Sequence, residues 1–111
     1  MEKIPAHIRI YFEIDGMLVD QQYDIDIDSE LGGMVPNVGD RIVYPGVSQG
    51  LDRYDPHNRE VYEVTQRYFL LGNPAYKQGE RDIQESPAWL VLVVQPRQGR
   101  EEERSLFHAA G

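Results

Sequence analysis

The chain contains no cysteine among its 111 residues. Disulfide bonds, zinc–thiolate sites and thiol nucleophiles are therefore excluded together. Lysine is scarce as well, since only Lys3 and Lys77 occur. With 11 cationic and 19 acidic residues the net charge is −8, which disfavours non-specific binding to nucleic acid because the summed interaction with phosphates is repulsive.

Long apolar stretches are also missing. The longest spans residues 88–94, far below the run of about 20 residues that a membrane-spanning helix needs. Residues 1–9 lack the basic region followed by an apolar segment that is typical of a secretion leader. We therefore expect a cytoplasmic protein that makes no membrane contact.

Motifs of known catalytic chemistry do not occur. The chain has no G-x-S-x-G, S-x-x-K, Walker A or G-x-G-x-x-G sequence. Its histidines, His7, His57 and His108, follow none of the spacings of metal ligands. The sequence therefore assigns no catalytic residue, no metal and no cofactor.

Residues 7–28 predict a β-hairpin. Apolar and polar residues alternate over residues 7–14 and again over residues 17–28, which is typical of half-buried strands. Asp15 and Gly16 between them favour a two-residue type I′ turn. That turn sets a register in which Phe12 opposes Val19 and Ile10 opposes Gln21.

The second of these strands carries a row of acids, Asp20, Asp24, Asp26 and Asp28. Their spacing resembles the start of an EF-hand loop, but the required glycine and the final glutamate would fall on Ser29 and Val35. The alternation with apolar residues instead predicts the solvated face of a strand. An acidic docking strip for a basic partner remains open as an alternative.

The remaining pattern predicts further strands at residues 40–44, 60–71 and 88–94, separated by long loops at residues 47–59 and 75–87. The last strand is apolar on both faces, which is typical of a central strand. We expect residues 1–96 to form a single β-domain and residues 97–111 to form a charged flexible tail.

The predicted fold is therefore all-β, with about five antiparallel strands in a small open barrel or a strongly bent sheet. It has an N-terminal β-hairpin, two long loops and a flexible C-terminal tail. The predicted core consists of apolar residues on one face of these strands: Ile8, Ile10, Phe12, Ile14, Val19, Ile25, Ile27, Ile42, Val64, Leu90, Leu92 and Val94.

The loop at residues 52–59 is the candidate binding site. It concentrates side chains that bind ligands from loops, namely Arg53, Tyr54, His57 and Arg59, and Arg67 follows in the next strand. The same residues also suit simple turns, with Pro56 restricting the backbone.

These features favour a small non-enzymatic binding or accessory module that contacts an unknown protein partner through the loop or the acidic face. An RNA-binding or single-strand-binding barrel is the alternative, since tyrosines and arginines can stack on bases. A small hydrolase or isomerase acting through His57 and carboxylates is a residual alternative. We expect a monomer or a weak dimer.

Overall fold

The computed structural model describes residues 7–109, and within them the fold is mostly β, with 49% strand and 16% helix. No helix in this range has the length and apolar character needed to cross a bilayer. The elements in chain order are β1 (His7–Ile14), β2 (Met17–Asp26), α1 (Ile27–Leu31), β3 (Arg41–Val43), a 3-10 turn (Pro56–Asn58), β4 (Glu60–Leu70), β5 (Tyr76–Gln78), β6 (Arg81–Ile83), β7 (Trp89–Gln98), a second 3-10 turn (Glu101–Glu103) and α2 (Arg104–Ala109).

Five strands form one mixed sheet in the order β2-β1-β7-β4-β3, and β5 and β6 form a separate two-stranded sheet. The central position predicted for the apolar strand is confirmed, since β7 lies between β1 and β4. The prediction of an all-antiparallel sheet is wrong, because β1 and β7 run parallel. β7 is antiparallel to β4 on one edge, and β1 pairs in parallel with its other edge.

The barrel closure is not observed in the described part of the chain. The outer strands are β2 and β3, and no backbone pairing joins them within residues 7–109. Tyr23 of β2 nevertheless contacts Tyr44, which follows β3, with ring centroids 5.7 Å apart. The two edges of the sheet are therefore linked by side chains and not by a ladder.

The N-terminal hairpin follows the predicted register only near its turn. Asp15 and Gly16 both have positive φ, 52° and 79°, as a type I′ turn requires. Phe12 opposes Val19 as predicted, but a bulge then shifts the ladder so that Ile10 opposes Tyr23. The bulge, where Gln22 has a φ of 54°, removes the mismatch between Ile10 and Gln21 and places an aromatic residue in the core.

Most of the predicted core residues lie in one cluster. The fully buried ones are Ile8, Ile10, Ile25, Val64, Leu90, Leu92 and Val94, and those packed at its border are Phe12, Ile27 and Ile42. Ile14 and Val19 were predicted wrongly, since they are 49% and 39% exposed. Ile14 lies beyond the last β1–β7 pair, Phe12 with Val94, and Val19 pairs with Phe12 at the same end of the sheet, in the outer strand β2.

The segment expected to be a flexible tail is structured as far as Ala109. β7 continues to Gln98, and α2 places Phe107 in the interior with 0% exposure. Gly99 leaves no room for a side chain, because a Cβ there would lie 2.6 Å from the carbonyl oxygen of Pro56 and 2.7 Å from the Phe107 ring. Because residues 100–104 are all charged, the sequence pattern did not indicate that Phe107 packs into the interior.

The packing of Phe107 yields a stability prediction. Phe107→Ala should lower the free energy of unfolding by about 3 kcal/mol, because truncating a buried aromatic residue leaves a cavity. Leu106→Ala is the matched control, since Leu106 is 52% exposed and should lose less than about 1 kcal/mol. Urea denaturation measures both values. Equal losses in the two variants would show that α2 does not pack as described.

Candidate functional site

The loop predicted to bind a partner is built from two local turns. Oδ1 of Asp52 accepts a hydrogen bond from the backbone N–H of Tyr54 at 2.9 Å. Oδ1 of Asp55 accepts one from the backbone N–H of His57 at 3.0 Å and so caps the 3-10 turn Pro56–Asn58. Short-range side-chain hydrogen bonds therefore hold the loop backbone in place.

Arg59 serves the packing of this loop. It is only 2% exposed, and its guanidinium donates to the carbonyl oxygens of Arg53 at 3.0 Å and Tyr44 at 3.3 Å. Its Cζ lies 4.9 Å from the centroid of the Phe107 ring. Burial, followed by the nearby charge of Arg53, lowers the pKa of Arg59. Arg59 thus connects the loop to the end of β3 and to α2, and it presents almost no surface to a partner.

The other predicted binding residues are more accessible. Tyr54 is 39% exposed and stacks on His108, with ring centroids 4.8 Å apart and planes at 17°. His57 is exposed, and Arg53 is half-buried. The loop therefore brings Arg53, Tyr54, His57 and Arg59 together, as their spacing in the chain suggested.

Arg67 lies apart from this group. At about 3.3 Å per residue along β4, it is roughly 25 Å from Arg59. Its guanidinium donates to the carbonyl oxygen of Pro36 at 3.0 Å and to Oδ1 of Asn37, and its Cζ lies 4.8 Å from the Phe69 ring centroid. The predicted arginines therefore do not form one basic patch.

Arg97 fastens the C-terminal segment that supports the loop. Its Nε donates to Oε1 of Glu63 at 2.6 Å, and its Nη2 donates to Oε2 of Glu103 at 2.7 Å. These bonds raise the pKa of Arg97. The bond from Arg97 also lowers the pKa of Glu103 to about 2, with a further contribution from the backbone N–H of Arg100.

The aspartate row lies on one strand face as predicted for Asp20, Asp24 and Asp26, which oppose Tyr11, Arg9 and His7, but Asp28 belongs to α1. Asp20 and Asp24 both form ion pairs with Arg9, and the backbone N–H of Gln22, followed by Arg9, lowers the pKa of Asp20. β2 ends at Asp26, whose carboxylate caps α1 by accepting from the N–H groups of Asp28 and Ser29 at 2.9 Å each. Capping is the physical reason why the chain leaves the strand here.

Within residues 7–109, no group of three or more histidine, aspartate or glutamate side chains has an arrangement that could hold a metal ion.

The sheet face opposite the core carries a surface that the sequence did not reveal. We call it the open face and define it as Arg9 and Tyr11 of β1, Trp89 and Val91 of β7, and Leu70 of β4. With Asp20 on the rim, these side chains line a shallow pocket of about 230 Å³. At the other end of β7 the C-terminal segment is joined to the sheet, where Arg97 binds Glu103.

Neighbouring side chains hold Trp89 at the centre of the open face. The guanidinium Cζ of Arg9 lies 5.7 Å from its ring centroid, and the His7 ring centroid lies 5.8 Å away. The alternation in β1 already pointed Arg9 and Tyr11 outward. Their position beside Trp89 and Val91 depends on the parallel β1–β7 pairing, which no local pattern shows.

Comparisons with family models, curated proteins and solved structures returned no match to this chain. The candidate sites therefore rest on their geometry alone.

The bond between Arg97 and Glu103 predicts a pH effect on stability. Because the folded-state pKa of Glu103 is below its ordinary value, its contribution is complete above about pH 4.5 and is lost as the pH falls toward 2. Glu103→Gln should therefore lower the free energy of unfolding by about 2 kcal/mol at pH 7 and by nearly nothing at about pH 2.

Glu102→Gln provides the control for this measurement, since the Glu102 side chain is 74% exposed and lies 3.8 Å from Arg100. We expect its unfolding free energy to match that of the unmodified chain at both pH values. Denaturant titrations at the two pH values make the comparison. A deficit of Glu103→Gln that stayed constant down to pH 2 would contradict the assignment.

Proposed function

We propose that this protein is a small non-enzymatic module that binds another protein through its open face. The observation that carries the proposal is the pocket in which Tyr11, Leu70 and Trp89 meet on the sheet face opposite the core. Tryptophan, tyrosine and arginine are enriched among the residues that dominate the energetics of protein interfaces. Tryptophan and tyrosine also bury large areas with only about two rotatable side-chain bonds. Trp89 is already held in place by its neighbours, so binding costs it little conformational entropy.

The charge around the open face favours a basic partner. Its one cation, Arg9, is paired with two carboxylates, Asp20 and Asp24, so the rim of the pocket is negative. The whole chain carries −8, which steers cationic surfaces toward it. The proposed partner therefore presents an apolar anchor side chain flanked by lysine or arginine.

The loop at residues 52–59 offers a second, smaller contact within the same function. Tyr54 and His57 are accessible there, whereas Arg59 is committed to internal packing. We therefore propose the open face as the main binding surface and the loop as an additional one.

We also infer that the main sheet is strongly bent, as in a half-barrel. In a flat five-stranded sheet the outer strands would lie about 19 Å apart, since neighbouring strands are about 4.8 Å apart. The contact between Tyr23 and Tyr44 across the core supports a much shorter separation of these edges. The core then occupies the inside of the bend, and the open face lies outside.

The alternative of nucleic-acid binding has less support. Tyr11 and Trp89 have rings on which bases can stack, but single-strand binding also needs a track of available cations. Arg9 is neutralised by its carboxylates, and Arg67 lies far from Arg59. The open face therefore suits a protein better than a phosphate backbone.

The residual alternative, a hydrolase or isomerase, is also weaker. His57 borders a pocket of about 430 Å³ together with Glu60 and the side chains of Arg59 and Arg97. Both arginines are engaged, Arg59 by backbone carbonyls and Arg97 by Glu63 and Glu103. No cation in this pocket is therefore left free to stabilise a developing negative charge.

Selection of a displayed peptide library on the immobilised chain tests the proposal. We expect enriched peptides with an aromatic or aliphatic anchor between basic residues. Trp89→Ala should weaken their binding at least tenfold, whereas Tyr76→Ala, which removes an aromatic ring 48% exposed outside the open face, should leave it unchanged. Isothermal titration at two salt concentrations measures the affinities, and higher salt should weaken binding.

Two outcomes would overturn this assignment. Peptides whose binding survives Trp89→Ala but is lost in the Tyr54→Ala/His57→Ala double variant would place the site on the loop. Tight binding of a mixed single-stranded oligonucleotide at low salt, reduced by Trp89→Ala, would favour the nucleic-acid alternative. A thermal melt of each variant confirms that the compared chains are folded.

A further inference from the structure

The far half of β4 leaves one side of its backbone unpaired. β3 pairs only with Val61–Glu63, and the last backbone hydrogen bonds on that side join Val64 with Gly39 and Asp40. Beyond them the Arg67 side chain contacts the neighbouring segment, at Pro36 and Asn37. On its other side β4 stays paired with β7 up to Leu70. Within residues 7–109, no further segment forms backbone hydrogen bonds with residues 68–71. We call these residues the open edge.

The open edge is apolar and exposed along its whole length. Tyr68, Phe69, Leu70 and Leu71 are 43%, 62%, 51% and 87% exposed. Soluble monomers seldom combine a free strand edge with consecutive exposed apolar side chains, since that combination recruits another strand. The open edge therefore has the character of a pairing surface.

The outer strand β2 has features that protect its edge from pairing with a further strand. β2 carries a bulge at Gln22 and the charges of Asp20 and Asp24, and both features discourage a further strand from pairing. Neither occurs on the open edge. From residue 64 to residue 79 the chain contains no acid at all, although acids make up 19 of its 111 residues.

We propose that two copies of this chain pair through the open edge, antiparallel and related by a two-fold axis near Phe69. In this register Tyr68 faces Leu70 of the second copy, and Arg67 faces its Leu71. No charged residue then opposes a like charge. Because residues 64–79 contain no acid, the repulsion between two chains of charge −8 is reduced at this edge. Apolar residues meet apolar residues, as an isologous interface requires.

The pairing creates a weak dimer with a larger sheet. The exposed parts of these side chains amount to roughly 400 Å² per copy, about half of what a stable interface buries on each partner. We therefore expect a dissociation constant on the order of tens of micromolar. The two five-stranded sheets become continuous, which places two open faces side by side. This inference does not rest on the proposed partner, because it is drawn from the unpaired backbone of β4; Leu70 belongs to both surfaces.

Single-cysteine variants test the geometry, because the chain has no cysteine of its own. In Phe69→Cys the two thiols should face each other across the axis, within the Cα separation of about 4.4–6.8 Å that a disulfide needs. Mild oxidation should give a disulfide-linked dimer on a non-reducing gel. Leu106→Cys, on the exposed side of α2, should stay monomeric. Equal cross-linking of both variants, or none in Phe69→Cys, would overturn the proposal.

Sedimentation velocity provides the second test. The unmodified chain should shift toward twice its monomer mass between about 5 and 200 µM. Leu71→Lys should remain monomeric, because it sets a lysine against the Arg67 of the second copy. Met34→Lys is the control, since Met34 is 73% exposed but lies outside the open edge, and it should dimerise normally. A monomeric unmodified chain at 200 µM would exclude the dimer without bearing on peptide binding by the open face.

Discussion

The need to cover β7 on both edges and both faces organises this protein. Its buried stretch runs from Leu90 to Val94 and is apolar without alternation, so water must be excluded from every side of it. β4 covers one edge through the antiparallel hairpin, and β1 covers the other in parallel. The mixed sheet and the position of Arg9 beside Trp89 follow from this arrangement.

The second constraint lies at the C-terminal end of β7. There Phe107 closes over Gly99, while Arg97 binds both Glu63 and Glu103. Arg59 inserts between this segment and the end of β3, which holds the loop at residues 52–59 against the domain. A loop rich in arginine and tyrosine thereby becomes part of the scaffold, with only its outer side chains accessible.

At the opposite end of the sheet the open face and the open edge meet. Leu70 belongs both to the open face and to the open edge, because β4 extends beyond β3 there and runs toward the exposed β5–β6 hairpin. A partner bound on the open face and a second copy paired at the open edge would be neighbours. The geometry therefore links the proposed binding function with the proposed dimer.

The sequence by itself determined the features that depend on near neighbours: the turn at Asp15 and Gly16, the alternation that buries Ile8 and Ile10, and the central place of the last strand. Only the tertiary structure decided the parallel pairing of β1 with β7, the bulge at Gln22, the burial of Arg59 and the surface around Trp89. Side-chain period and turn preference act over a few residues and are visible in the chain. Strand order, edge exposure and the packing of α2 arise from contacts between distant segments, which no local pattern encodes.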